Sequence, residues 1–222
     1  MRKTKSRADL IPLFAQPLSL AFRVCDQRQN QRGRKVYSLH APEVECIGKG
    51  NAHRPYELGV KVSVATTLNR SKGGQFIAHV KALPGNPYDG HTLAAVIREI
   101  EAQVGANLSR IVADRGHRGH NAPQSHQFKV YISGQRRRVD EAIKRELRRR
   151  AAVEPVIGHA KAERRLGRNF LKGAAGDAAN AVLAAAGHNF RRLLEWLAAL
   201  LCALIAALLL TAAPPSDHAI AA

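Results

Sequence analysis

The sequence predicts a mixed α/β fold of the α+β type: a sheet covered by helices, followed by further helices at the C-terminal end. Three observations support this fold class. Residues 58–82 contain two strand-like segments separated by a turn. Residues 91–150 contain two helix-like segments separated by two short apolar segments. Residues 178–213 consist almost entirely of strong helix formers. The order β-β-α-β-β-α therefore predicts a mixed sheet with helices on its surface.

The first two strands are predicted to form a β-hairpin. Residues 58–67 alternate Val60, Val62 and Val64 with smaller or polar side chains, which is the period of two of a half-buried strand. Asn, Arg, Ser, Lys and two glycines follow, and this composition is typical of a turn. Residues 75–82 then form the second strand, and a loop with the sequence LPGNPYD leads away from the sheet.

The next elements are a helix, two strands and a basic helix. Residues 91–105 place apolar side chains at helical spacing, with Gly105 as the C-cap. Residues 109–113 and 128–132 are short apolar strands, and residues 135–150 form a strongly basic helix. Another helix is expected to begin near Val153, because proline is tolerated in a first helical turn, and to continue past residue 161.

The two ends of the chain differ from this central domain. Residues 1–35 are rich in Lys and Arg and predict a poorly ordered basic arm, whereas residues 36–192 form the domain. Residues 193–222 are an apolar helix and tail, in which residues 196–213 carry no charge. Eighteen residues lie at the lower limit for a membrane span, and many of them are alanines, so a helix folded onto the domain is favoured.

The composition restricts the function to classes that act on polyanions. Thirty-five Lys and Arg against 17 Asp and Glu give a net charge of +18 and a pI near 10.8. Such an excess indicates nucleic acid or an anionic membrane surface as the partner. Three cysteines without a CxxC spacing exclude a disulfide framework and a cysteine zinc site. The N-terminus is a poor secretory signal, so a cytoplasmic location, associated with the nucleoid, is expected.

Two carboxylates are candidates for metal chemistry. Asp114 follows a short buried strand and precedes Gly116, where it could ligate a hard metal or only bind the amides of a turn. Glu154 lies among bases, with Arg150 four residues before it and Lys161 two helical turns after it, so a solvated face with ion pairs is the other interpretation. Two Mg²⁺ or Mn²⁺ ions could stabilise both oxygens of a phosphodiester exchange, while the surrounding bases neutralise DNA phosphates.

Motifs across most of the chain resemble the DDE transposases of bacterial insertion sequences, in the insertion-sequence four/five-like superfamily. These motifs are PGNPYD, then D-x-G, then R-x3-E-x6-K. The resemblance implies a partial RNase H-like sheet, two divalent ions (Mg²⁺ or Mn²⁺), and strand cleavage and transfer of DNA at element ends. It identifies Asp114 as the second triad Asp, Glu154 as the Glu, and both as metal ligands. The residues expected to bind DNA are Arg150, Lys161, Arg148, Arg149, Arg164 and Arg165.

The sequence departs from this family at two points. Leu147 stands where the signature has a tyrosine. The first catalytic Asp of the family lies in an Asp-Thr context upstream, and neither Asp9 nor Asp26 has that context. Asp89 matches a family position outside the triad. The resemblance therefore predicts a transposase that lacks its N-terminal part and is an inactive remnant.

The sequence is compatible with three functions from different classes. The first is the C-terminal part of a transposase, acting on double-stranded DNA at insertion-sequence ends as a homo-oligomer or together with a full-length transposase. The second is a non-catalytic basic DNA-binding protein. The third is a small membrane-anchored basic protein, although a membrane is not expected as a partner.

Overall fold

The computed structural model describes residues 10–50, 52–53, 55–69 and 71–212. Within them the chain forms five α-helices and six β-strands. In chain order these elements are α1 (Ile11–Asp26), β1 (Glu45–Gly48), β2 (Tyr56–Gly59), β3 (Lys61–Thr66), β4 (Ile77–Leu83), α2 (Leu93–Val104), β5 (Ile111–Ala113), β6 (Val130–Ile132), α3 (Glu141–Arg149), α4 (Val153–Glu163) and α5 (Gly173–Ala212). The expected mixed α/β composition is confirmed.

The strands pair as three separate two-stranded sheets, whereas the sequence predicts one mixed sheet. The predicted hairpin is present as the antiparallel pair of β3 and β4, in which Lys61 lies opposite Leu83. Strands β5 and β6 run parallel, with Ile111 opposite Val130, and each has three residues. Strands of three residues form few ladder hydrogen bonds, and β5 and β6 form theirs with each other. The antiparallel pair of β1 and β2 was not predicted.

The helices differ from their predicted limits mainly at the N-termini. Helix α2 ends as expected at Gly105, which has a φ of 70° and donates its N–H to a carbonyl of the last turn. The predicted basic helix begins six residues later than expected, because Asp140 caps α3 by accepting the N–H of Ile143 at 2.7 Å. The residues before Asp140 form turns, in which Arg138 has a positive φ.

Two small hydrophobic clusters fix the elements that carry the candidate site. In the first, Ile77 of β4 packs with Val156 of α4 and Ala185 of α5. In the second, Leu93 and Ile97 of α2 pack with Val130 of β6. The first cluster therefore positions α4 against the hairpin, and the second positions the parallel pair against α2.

Residues 1–35 contain an element that the sequence did not predict. Residues 11–26 form the helix α1, which has no buried residue and carries exposed apolar side chains. Proline in its first turn is compatible with helix initiation. Residues 1–9, including the candidate Asp9, lie outside the described residues. The other candidate for the first catalytic carboxylate, Asp26, is the last residue of α1.

The C-terminal part of α5 does not fold onto the domain, so that prediction is wrong. The buried positions of this helix are Ala181, Ala184, Ala185 and His188, all in its first half. Trp196 still packs on the turn at Gly73, whereas the residues after it are exposed. Among the described residues, Gly173–Thr211 is long and apolar enough to cross a membrane, judged by length and composition alone. Its most apolar 18-residue stretch has a mean hydropathy of 2.5, and none of that stretch is buried. Helix α5 also runs without a break through the domain boundary expected at residue 193.

Candidate active site

Asp114 lies directly after β5, at the point where the chain turns away from the parallel pair. Its Oδ1 accepts the N–H of Gly116 at 3.1 Å and lies 2.7 Å from Nδ1 of His117. The hydrogen bond to His117, assisted by the charge of Arg150, holds the pKa of the Asp114 carboxyl below its ordinary value, although partial burial opposes this. Asp114 is therefore ionised at neutral pH, as a metal ligand must be.

Glu154 lies in the first turn of α4 and is joined to Asp114 by one side chain. Nη2 of Arg150 lies 3.0 Å from Oε1 of Glu154 and 3.6 Å from Oδ2 of Asp114. Arg150 and Glu154 are four residues apart across the junction of α3 and α4, where the intervening residues stay helical. The structure thus brings together two carboxylates that are forty residues apart. Their role in catalysis stays a prediction.

A third carboxylate, which the sequence interpretation placed outside the triad, lies beside Asp114. If Gly116 carried a Cβ atom, that atom would lie 2.7 Å from Oδ2 of Asp89 and 3.2 Å from Oδ1 of Asp114. A side chain at Gly116 would collide with the Asp89 carboxylate and crowd that of Asp114, so glycine leaves room for both. Lys61 forms an ion pair with Asp89 at 2.9 Å and also donates to the carbonyl of Pro87, so its charge offsets the local negative charge.

The donors of this site fit a divalent ion in kind but not in number. Carboxylate oxygens are the ligands that Mg²⁺ and Mn²⁺ prefer. However, no group of three His, Cys, Asp or Glu side chains with a geometry able to hold a metal ion is found in the part of the chain that the structure describes. The guanidinium of Arg150 also binds an oxygen of both Asp114 and Glu154. The site therefore matches a metal pair incompletely.

The predicted DNA-binding side chains do not form one cluster, because a single one of them lies at the two carboxylates. Arg150 lies at the two carboxylates, whereas Lys161 binds Oε1 of Glu57 on β2 at 2.9 Å. Arg164 lies 3.9 Å from Glu163, and the Arg165 guanidinium stacks over the ring of Phe170. The remaining two, Arg148 and Arg149, are exposed at the end of α3. Only Arg150 of the predicted set contacts Asp114 and Glu154.

Sequence reasoning missed several partners of the predicted residues. His117 is not among the predicted site residues, yet its Nδ1 lies 2.7 Å from Oδ1 of Asp114. Lys61 lies in the middle of an alternating strand pattern, and nothing in that pattern singles it out. Asp89 was visible in the PGNPYD motif, but its proximity to Gly116 follows only from the folded chain. Glu57, the partner of Lys161, lies 104 residues away from it in sequence.

Comparison with known protein families gives a match in the C-terminal half of the chain. Residues 114–194 match the family model described as a transposase DDE domain. The matched segment begins at Asp114, includes Glu154 and ends within α5. This match supports a DDE transposase, a class of proteins that act on DNA and generally use divalent metal ions. No curated protein and no solved structure matches the chain.

Proposed function

We propose that this chain carries the C-terminal part of a DDE transposase of the insertion-sequence four/five-like superfamily, with an RNase H-like catalytic domain. The observation that carries the proposal is the shared contact of Asp114 and Glu154 with Nη2 of Arg150. These three residues stand on matching positions of the D-x-G and R-x3-E motifs. The match of residues 114–194 to a transposase DDE domain supports it independently.

In this proposal the basic side chains bind the DNA of the element ends. Arg150 and Lys161 would contact phosphates near the scissile bond, and Arg148, Arg149, Arg164 and Arg165 would extend this basic surface. The net charge of +18 provides the sequence-independent part of the affinity. Asp114 and Glu154 would be the residues that hold Mg²⁺ or Mn²⁺ in a complete site of this family, and such ions would supply positive charge for phosphodiester exchange.

We further propose that this chain binds DNA but does not cut it. The family uses three carboxylates, and neither Asp9 nor Asp26 has the sequence context of the first one. Two carboxylates that are already bound to Arg150 would hold a metal pair poorly. The function would then be that of a non-catalytic DNA-binding protein, which could act together with a full-length transposase in the cytoplasm.

The test combines binding and nicking on defined DNA. Fluorescence anisotropy with a duplex of arbitrary sequence should show tight binding at low salt, and log K should fall linearly with log salt. Affinity should differ little between unrelated duplexes. Substituting Glu154→Ala should leave binding unchanged or strengthen it, because it removes a negative charge. Binding that requires one particular sequence, or that ignores salt, would contradict this part of the proposal.

Nicking is measured on supercoiled plasmid with Mn²⁺, which tolerates poorer sites than Mg²⁺. The wild-type chain should leave the plasmid supercoiled. Nicking that disappears in Asp114→Ala would show a complete site and overturn the proposed inactivity. In that case Asp89→Asn would show whether Asp89 takes part, since this variant keeps the size of the side chain and removes its charge.

A further inference from the structure

Helix α5 changes character at Trp196. Before this residue the helix packs on the domain and carries charged side chains, whereas residues 196–213, called the apolar arm below, carry no charge. Every residue of the apolar arm from Leu197 to Thr211 is exposed. A helix of this composition in the core of a soluble domain would be buried. The apolar arm therefore extends from the domain without a partner in the part of the chain that the structure describes.

The apolar arm is apolar on all of its faces. Leu200, Ile205 and Leu210 follow one another at intervals of five residues, so at 100° per residue their side chains project in three different directions. The positions between them hold alanine, leucine, Cys202 and no charged residue. A helix that packs on a protein surface needs a single apolar stripe, whereas a helix in lipid is apolar all round. The pattern therefore favours lipid over a protein partner.

The length of the apolar arm fits the hydrocarbon layer of a bilayer. Eighteen residues at 1.5 Å per residue give about 27 Å, and the hydrocarbon layer is about 30 Å thick. Because the arm is helical, its backbone N–H and C=O groups bond within the segment, as a lipid environment requires.

Cationic side chains surround the start of the apolar arm. Arg191 and Arg192 lie about one helical turn before Trp196. The turn between β3 and β4 reaches the same level, since a Cβ atom at Gly73 would lie 3.2 Å from Cβ of Trp196, and this turn carries the exposed Lys72. Lys72, Arg191 and Arg192 form a basic collar. Tryptophan and cationic side chains are the residues typical of the headgroup level of a membrane.

The charge next to the collar is compensated on the domain side and absent on the other side. Glu195 forms ion pairs with both Arg191 and Arg192, at 2.9 and 3.2 Å. Residues 193–222 contain no Lys or Arg. An excess of Lys and Arg on one side of an apolar helix keeps that side in the cytoplasm.

We propose that the apolar arm inserts into a bilayer that contains anionic phospholipid, with the basic collar at the headgroup phosphates and the domain on the cytoplasmic side. The net charge of +18 attracts the chain to such a surface. The expectation against a membrane partner rested on this helix folding onto the domain, which it does not do. This inference does not depend on DNA binding or cleavage.

The test synthesises the full-length chain in the presence of sealed vesicles of phosphatidylcholine and phosphatidylglycerol. The vesicles are washed with alkaline carbonate, which strips surface-bound protein, and are then floated on a density gradient. The wild-type chain should float after the wash. The double substitution Leu201→Arg and Leu208→Arg places two charges inside the hydrocarbon layer and should reduce the floating fraction about tenfold or more.

The matched control is the double substitution Leu183→Arg and Phe190→Arg. These two residues are as exposed as Leu201 and Leu208, have the same spacing of seven residues, and precede the apolar arm on the same helix. The control should float like the wild type, because its charges stay outside the hydrocarbon layer. Since all four side chains are exposed, no exchange opens a cavity, and circular dichroism verifies that the variants remain folded.

Two cysteines report on the position of the apolar arm. Cys202 lies within the arm, Cys25 lies near the end of α1, and both are exposed. A membrane-impermeant maleimide should label Cys25 but not Cys202 in intact vesicles, and should label both after the vesicles are dissolved in dodecyl sulfate. Labelling of Cys202 in intact vesicles would place the arm outside the bilayer and overturn the proposal.

Vesicle composition tests the basic collar. Phosphatidylcholine alone should take up the chain less efficiently, by about fivefold for each collar charge that contacts anionic lipid. Equal uptake by both kinds of vesicle would contradict the role of the collar. Insertion itself is wrong if the wild-type chain does not float, if carbonate releases it, or if Leu201→Arg with Leu208→Arg floats as well as the wild type.

Discussion

Asp114 and Glu154 each place a carboxylate oxygen within 3.6 Å of the same nitrogen atom, Nη2 of Arg150. The two carboxylates come from elements that separate hydrophobic clusters hold in place, since β5 follows α2 and α4 packs on β4. One guanidinium between them offsets the repulsion that two nearby negative charges would otherwise cause. Because His117 and Arg150 lower the pKa of the Asp114 carboxyl, a measurement of that pKa reports on these contacts.

Removing His117 or Arg150 should raise the pKa of the Asp114 carboxyl. His117→Phe should raise it more than Arg150→Gln, because the hydrogen bond from His117 is the largest cause of the lowered pKa and the charge of Arg150 is a smaller one. Carbon-detected NMR titration of the side-chain carboxyls measures both effects. The control is His120→Phe, since the His120 ring accepts a hydrogen bond from Ala122 instead. An unchanged Asp114 pKa in His117→Phe would show that this hydrogen bond does not form in solution.

Substituting Ile97→Ala should strongly destabilise the domain. Ile97 is 1% exposed and packs with Leu93 and Val130 in the cluster that supports the parallel pair. Loss of its buried methylene and methyl groups leaves a cavity and should cost about 3 kcal/mol in the free energy of unfolding. Val104→Ala in the same helix is the control, because Val104 is 55% exposed and its truncation should cost about 0.5 kcal/mol or less. Urea unfolding of both variants measures these values, and equal losses would contradict the assigned core.

Much of the central fold could be predicted from local patterns, and the reasons differ by element. The alternation at Val60 to Val64 and the spacing from Leu93 to Ile100 are local signals, and the elements β3 and α2 follow them. How the strands group into sheets depends on contacts between distant residues, so local patterns predicted strands β3 to β6 but not the separation of the strands into three sheets. Helix α1 was missed because Pro12 and Pro17 weaken its helical signal.

The candidate site could also be predicted in part, where a motif is local, and not where a contact joins distant residues. The motifs around Asp114 and Glu154 pointed to a common site, and the folded chain brings both residues to Arg150. The expectation that Lys161 acts beside Glu154 rested on their common helix face, but the side chain reaches across to Glu57 on β2. No local pattern encodes an ion pair between residues that far apart in sequence.

The ion pair between Lys81 of β4 and Glu99 of α2 should make stability depend on pH. Hydrogen bonding to Lys81, and then its charge and the contact with His79, lower the pKa of the Glu99 carboxyl. A carboxyl with a lowered folded-state pKa contributes stability above its unfolded pKa, near 4.3, and loses that contribution as pH falls through the folded value. Since Glu99 is 41% exposed, screening limits the coupling energy to about 0.5 kcal/mol.

A double-mutant cycle with Glu99→Gln and Lys81→Met isolates this coupling. The cycle should give about 0.5 kcal/mol at pH 7, and the value should approach zero at acid pH, where Glu99 is protonated. A coupling energy that grows on acidification would show that the sign of the Glu99 shift is wrong.

DNA affinity should respond in opposite directions to substitutions at Lys161 and Glu57. Oε1 of Glu57 binds Lys161 and Oε2 binds Lys49 at 2.6 Å, and these two ammonium groups lower the pKa of the Glu57 carboxyl, with Lys49 as the larger cause. Glu57 is therefore ionised and competes with DNA phosphate for both lysines. Lys161→Ala should weaken binding modestly and reduce the slope of log K against log salt by about 1. Glu57→Gln should strengthen binding, because it removes a negative charge and releases two cations.

If Lys161 contacts phosphate, the gain from Glu57→Gln should shrink in the Lys161→Ala background. Anisotropy measurements on all four proteins over a range of salt test this, and strictly additive effects would show that Lys161 binds Glu57 without ever contacting the DNA.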